Sequence, residues 1–153
     1  SQAIEYRDYR GRSFAYAESW GGKRYIGGDN GKIYLLDNSH TFDGDPIRMA
    51  LRMGHRTHGT LKWKLSIGYA YDFKSGVGNA AVANPKFYHR WRDNGSLAWK
   101  NAREISMGAV GVTNLLPRSR QCGRYRKRQD ELIFPDAAEV VSNGIYEDVE
   151  VES

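Results

Sequence analysis

The sequence predicts a mostly β fold with antiparallel pairing: a propeller-blade-like meander over residues 1–46, then a β-sandwich-like domain over residues 47–153. Three observations carry this. The stretch LKWKLSIGYAYDF alternates without an error. It places Leu61, Trp63, Leu65, Ile67, Tyr69, Tyr71 and Phe73 on one face, and Lys62, Lys64, Ser66, Gly68, Ala70, Asp72 and Lys74 on the other. That is the period of a strand with one face on a core and one in water. Turn signals recur at Gly21–Gly22, Asp29–Gly31 and Asp93–Gly95. Four Trp, ten Tyr and 17 Gly suit strands and turns, and no segment carries a long helical period.

In chain order, RSFAYAES, KRYIGG and GKIYLLD are short strands separated by the first two turns. TFDGDP is a turn-rich connector. PIRMALRMGHR sets Ile47, Met49, Leu51 and Met53 at period two, which favours a strand over a short helix. After the long strand, Ser75–Pro85 is a loop of small residues, and KFYHRWR is a strand closed by the Asp93–Gly95 turn. GAVGV is a flexible joint that follows SLAWKNAREISM. Arg118 to Phe134 reads as one strand with a bulge near Gly123. DAAEVVSNG has room for a helical turn ended by Asn143–Gly144. The tail IYEDVEVE alternates again: Ile145, Val149 and Val151 inward, Glu147 breaking that face, and Tyr146, Asp148, Glu150 and Glu152 opposite.

The 153 residues, 40% of them apolar, suffice for a buried core and argue against disorder. The net charge of +5 is unevenly spread. Residues 86–128 hold 11 basic and 2 acidic groups, whereas residues 129–153 hold 8 acidic groups and no basic one. Such blocks pair internally or face different partners. The single cysteine, Cys122, excludes an internal disulfide and a cysteine zinc site, and suits a reducing compartment. No run approaches the roughly 18 apolar residues of a membrane span. The start lacks a signal-peptide core and an initiator Met, as expected of a processed chain or a fragment.

Motifs for chemistry are sparse. His55 and His58 in HRTH could open a metal site, but no third ligand is evident and a polar loop explains them. His40 and His89 are isolated. Asp43 and Asp45 lack the calcium-loop spacing. No serine sits in a nucleophile elbow, and GGDNGK lacks the spacing of a phosphate loop. Cys122 lies among arginines that would favour a thiolate, with no His nearby in sequence. The expectation is a chain that is not an enzyme and needs no metal or cofactor.

The strongest electrostatic feature is PRSRQCGRYRKRQDELIF, where Arg118, Arg120, Cys122, Arg124, Arg126 and Arg128 fall at period two. A strand would space those charges about 6.5–7 Å apart, suited to phosphates without reading bases. Tyr125 alone is interleaved, which weakens base stacking. The rival is a solvated face met by the acidic tail through cross-strand pairs. The candidate electrostatic residues are therefore Arg118, Arg120, Arg124, Arg126, Lys127 and Arg128. Their candidate partner strand carries Asp148, Glu150 and Glu152, within or between subunits.

From Pro85 onward the order of features resembles the C-terminal region of the packaged-DNA stabilisation proteins of short-tailed bacteriophages, also called closure, stopper or tail-hub proteins. The matching residues are Arg90, Trp91, Asp93, Gly95, Trp99, Ser106, Gly108, Gly111, Gly123, Arg124, Arg126, Phe134 and Asp136. Upstream, Gly28, Asp29, Gly31, Lys32, Ile33, Tyr34 and Asp37 resemble that family's last propeller-blade segment. Family members are far longer, so the resemblance implies a C-terminal piece or a shortened relative. It implies a structural subunit in the virion at the head–tail junction, assembled in the host cytoplasm. Such a subunit closes the portal channel and retains DNA until ejection. Its implied partners are portal or connector and tail proteins, further copies in a ring, and the packaged DNA through non-specific contacts. Two alternatives remain open. One is a carbohydrate-binding module of a phage receptor-binding protein using Trp91 and Trp99, which could equally be packing anchors. The other is a stand-alone nucleic-acid-binding domain.

Overall fold

The computed structural model describes residues 3–5, 14–28, 31–36 and 39–152. Asp29, Asn30 and Asp37, which carry part of the expected turn and of the family resemblance, lie outside the described residues, as do Arg12 and Ser13 of the first expected strand. The described residues form strands and loops with no helix. The strands are β1 (Ala3–Glu5), β2 (Phe14–Trp20), β3 (Lys23–Gly28), β4 (Ile33–Leu36), β5 (Thr41–Phe42), β6 (Asp45–Pro46), β7 (Met49–Arg52), β8 (Lys64–Phe73), β9 (Lys86–Asp93), β10 (Arg103–Ser106), β11 (Arg118–Tyr125), β12 (Arg128–Phe134) and β13 (Ser142–Val151). All pairings between them are antiparallel. A five-stranded sheet has the order β1-β7-β12-β9-β10, and a three-stranded sheet the order β11-β8-β13. A second three-stranded sheet, β2-β3-β4, and the small β5-β6 hairpin complete the description.

The turn residues act as their chemistry dictates. Gly21 and Gly22 have φ of 59° and 75°, and Asn94 and Gly95 have φ of 55° and 83°. Two successive positive φ values give the turn whose twist matches antiparallel strands. The segment from Met49 to Arg52 is a strand rather than a helix, and Met49, Leu51 and Met53 pack on the core. That core is one aromatic cluster. Tyr69, Tyr71 and Phe73 of β8 and Cys122 of β11 meet Phe87 and Trp91 of β9, Ile105 of β10, and Leu132 and Phe134 of β12. Ring centroids of Tyr71 and Phe87 are 5.0 Å apart, and those of Phe73 and Phe134 are 5.7 Å apart. The five-stranded sheet and the β11-β8-β13 sheet thus share one interior.

Three expectations are corrected. First, β8 does not keep one apolar face. Lys64 and Ser66 are fully buried, whereas Leu65 and Ile67 are exposed; Tyr69, Tyr71 and Phe73 are buried as expected. The cause is a bulge. Gly68 pairs with Asp148 and Ser66 with Val149, leaving Ile67 as an extra residue opposite β13. One extra residue reverses every side chain beyond it. Second, Arg118–Phe134 is two strands rather than one: β11 and β12 belong to different sheets, and the chain changes sheet at Arg126–Lys127. The bulge expected near Gly123 is present, as a register shift between Arg120 and Gly123. Third, no helical turn forms over 136–144. The chain bends at 136–138, and Asn143 and Gly144 lie inside β13.

Gly68 of β8 lies close against the backbone of β11. A Cβ there would stand 2.6 Å from the Ser119 carbonyl oxygen, a backbone atom that cannot swing away. Gly68→Ala is expected to cost about 1–3 kcal/mol through forced backbone displacement. Urea melts would register this as a lowered midpoint, and an unchanged midpoint would show that β11 yields freely.

Candidate interaction face and the charge network beneath it

The bulges decide which side chains the β11-β8-β13 sheet turns outward. Its pairings set residues in rows across the three strands. Arg118, Ala70 and Tyr146 form one row; Arg120, Gly68 and Asp148 the next; Arg124, Leu65 and Glu150 a third. A fourth follows at the sheet end, where the Glu152 amide donates to the Trp63 carbonyl (2.9 Å) and the Arg126 guanidinium lies 4.8 Å over the Trp63 ring. The outer face is therefore an arginine column, an apolar column of Trp63, Leu65 and Ile67, and an acidic column. The apolar side chains are 37–39% exposed.

The charges of the two outer columns scarcely meet within the chain. β8 lies between β11 and β13, so the columns stand two strand spacings apart, about 9.5 Å. Arg124 alone reaches across to Glu152 in an ion pair, with its guanidinium 5.5 Å over Trp63. This pairing holds the Arg124 charge more firmly than usual, through the hydrogen bond to Glu152 and then its charge. The basic and acidic strands are not neighbours, since β8 lies between them, and the sequence-based rival to DNA binding, arginines met by the acidic tail, is seen in the Arg124–Glu152 pair.

Other expected site residues lie elsewhere. Arg128 is completely buried and is not on the basic face. The bulge and the sheet change at Arg126–Lys127 turn it into the interior. Lys127 sits on the connecting turn, near His55, whose pKa is lowered by burial and then by Lys127 and Arg92. Trp91 is a core residue and offers no platform to a sugar. Trp99 is half-buried under three guanidinium groups, Arg92 (4.8 Å), Arg90 (5.0 Å) and Arg52 (5.4 Å), so its ring is already occupied.

Beneath the face runs a network that the sequence hid. Arg128 donates twice to Asp93 (2.7 and 3.1 Å) and once to the Cys122 carbonyl (2.7 Å). Its plane is held between the rings of Tyr125 (4.0 Å) and Trp91 (5.0 Å). Glu147, the residue that broke the alternation, points inward with its side chain 1% exposed. It accepts from Ser66 (2.7 Å), Tyr125 (2.9 Å) and His58 (3.0 Å), and pairs with Arg56 at 3.1 Å. Arg56 also donates to Asp130 (2.7 Å), which accepts from the Tyr69 hydroxyl (3.0 Å) and from His89 Nε2 (3.0 Å). A carboxylate only accepts, so His89 donates its Nε2–H to Asp130, and its Nδ1 shares a 2.6 Å hydrogen bond with the Tyr71 hydroxyl. Lys64, expected in water, is buried with its ammonium on the carbonyls of Thr60 (2.7 Å), Lys62 (2.8 Å) and Arg126 (2.9 Å).

The electrostatics follow from these contacts. Burial works against the Asp130 carboxylate, but the hydrogen bond from His89 and the Arg56 charge outweigh it and hold its pKa below the usual range. Burial likewise opposes Arg56, and Asp130, Tyr69 and Glu147 more than restore its charge. The Tyr69 phenol is pushed far up by burial and by the neighbouring carboxylates Asp130 and Glu147. On the outer side of the five-stranded sheet, Glu131 sits between Arg52 and Arg90, directly opposite both in register. Their hydrogen bonds overcome burial and lower its pKa. Each oxygen of Asp130 and Glu147 thus has a donor within the chain. What these groups do is lock strands of both sheets together.

Sequence reasoning missed Arg56, Asp93 and Asp130 as a unit, because they are far apart in the chain. Glu147 did leave a signal, as the one acid on an otherwise apolar face. Among the described residues no group of His, Cys, Asp and Glu is arranged to hold a metal ion, and no helix is long and apolar enough to cross a membrane. No family model matches the chain, and no curated protein matches it either.

Proposed function

We propose that this chain is a non-enzymatic structural module that works through subunit contacts, a β-sandwich-like domain preceded by a propeller-blade-like meander. The observation that carries this is the outer face of the β11-β8-β13 sheet, where an exposed apolar column is flanked by columns of opposite charge. Contact surfaces combine an apolar centre with a polar rim in this way. The charge network behind it supports a rigid backing, since each oxygen of Asp130 and Glu147 has a donor and these bonds tie strands of both sheets together, although Arg56 Nε has no partner among the described residues. Together with the family resemblance, this supports a place in a bacteriophage virion at the head–tail junction. There, several copies around the DNA channel would close the portal exit and join connector to tail parts.

The test is co-expression with the portal and tail proteins of the same genome, followed by mass photometry of the purified assembly. A stable complex containing several copies is the expected result. A chain that stays out of assembled particles and shows no portal-complex partner would overturn the proposal. Separate DNA binding is expected to be weak, because Arg128 is interior and Arg124 is paired. Retention on DNA cellulose with a salt slope of three or more phosphates, roughly −2.7 in log–log form, would favour a nucleic-acid role instead.

A further inference from the structure

The arrangement of the outer face also points to its occupant. Arg118, Arg120, Asp148 and Glu150 are exposed, and none of their side chains has a hydrogen bond or ion pair among the described residues. Two rows carry an arginine at one end and a carboxylate at the other, Arg120 with Asp148 and Arg124 with Glu150. The Arg126–Trp63–Glu152 end continues the same order. Consider a second copy laid face to face, related by a two-fold axis running along β8. That rotation exchanges the two outer columns and keeps each row opposite its own image. Arg120 then faces the second copy's Asp148, Arg124 faces its Glu150, and the apolar columns meet. A two-fold axis across the strands would instead set arginine against arginine.

We propose that the outer face of the β11-β8-β13 sheet is a two-fold self-association surface, occupied in the free chain by a second copy with its β8 parallel to the first. This rests on reading that face as a subunit contact, not on the virion assignment. Edge-to-edge joining fits less well. It would leave the apolar column uncovered, and Arg103 already occupies the carbonyls of Arg120 and Gln121 on β11. Pairing of two β13 edges would bring the acidic columns together, the usual protection of an edge strand. Facing sheets cross at about 30°, so the central rows around Leu65 and Gly68 make the closest contact. Three strands over eight residues project on the order of 400 Å² per copy. That is about 800 Å² in total, below the roughly 1,000–1,200 Å² that stable specific interfaces bury, so the dimer is a weak and reversible one. A two-fold contact closes on itself, so it competes with a ring rather than extending one.

The experiment uses the whole chain and two variants, R118E/R120E and D148K/E150K, all at exposed positions. Sedimentation equilibrium of the parent chain should show a monomer–dimer equilibrium with midpoint between about 1 and 100 µM. Each variant alone should be at least tenfold weaker, because the altered column becomes like-charged with the column it faces in the second copy. Mixed in equal amounts, the two should form a heterodimer at least as tight as the parent. Near-ultraviolet circular dichroism matching the parent would establish that each variant is folded. A parent chain monomeric throughout that range would overturn the proposal. So would a dimer indifferent to both variants, or variants that fail to rescue each other. Failure here together with capture of portal and tail proteins would leave the proposed function standing. A confirmed dimer that never enters particles would leave only this inference.

Discussion

Arg128→Ala is expected to be the most damaging single change in the protein, costing about 3–5 kcal/mol, the usual penalty for removing one member of a buried ion pair. Three losses coincide. Asp93 keeps the partly exposed Lys100 (2.9 Å) but loses its bidentate partner. The Cys122 carbonyl loses its donor. The space between the Trp91 and Tyr125 rings empties, removing the packing of the arginine stem and plane. For a chain of this length, about 2–4 °C per kcal/mol means a melting temperature lower by about 6–20 °C. Arg128→Lys should recover little, since an ammonium cannot make the paired bonds or lie flat between two rings. Arg118→Ala, the same residue type on the outer column, is the control and should leave the melting temperature within about 1 °C. Equal effects at both positions would show that the two arginines share one environment, contrary to the structure.

Acid should destabilise the protein through two carboxylates on β12. The folded-state pKa values of Asp130 and Glu131 lie below their ordinary values of 3.8 and 4.5. A depressed carboxylate pKa contributes stability in full above the unfolded-state value, and that contribution is lost as pH falls through the folded-state value. Melting temperature should therefore be insensitive to these groups above about pH 5 and fall steadily below about pH 4. Asp130→Asn should be less stable than the parent at neutral pH, because it removes the charge paired with Arg56 and turns one of the two acceptor oxygens, which serve Arg56 and His89 separately, into an N–H donor facing a donor. Its acid slope should also be shallower, since one titrating group is gone. Differential scanning calorimetry from pH 7 to pH 2.5 reads both effects. A parent curve flat to pH 3, or an Asp130→Asn variant with the parent's slope, would contradict the assignment. Salt should matter little to this behaviour, because both carboxyl groups are shielded from bulk ions.

The strands and turns were largely legible in the sequence, and the faces were not. Alternation located β8, β9, β11 and β13, and the Asn94–Gly95 turn needed only its residue types. The bulge near Gly123 was also legible, because a glycine inside a strand pattern has few other uses. The bulge at Ile67–Gly68 left no mark, since LKWKLSIGYAYDF alternates perfectly on paper. Hydrophobic period reports what a regular strand would do. It cannot report one extra residue opposite a partner that is 80 positions away. The cost of that error is large: Lys64 and Ser66 were assigned to water and are buried, and Leu65 and Ile67 were assigned to the core and are exposed.

The candidate site divides in the same way. Arg118, Arg120 and Arg124 are on the exposed face where the sequence put them, as are Asp148 and Glu150. Their separation by β8 was invisible, because strand order is a property of the sheet. The sequence by itself determined that this protein would be β-rich, with a basic strand followed by an acidic one. The tertiary structure decided which arginines are surface and which are interior, and that Glu147 is a hub rather than a flaw. The physical reason is that charge and apolarity are written residue by residue. Which side of a sheet receives them depends on cross-strand register, and register is set only when Gly68, Cys122 and their distant partners pack together.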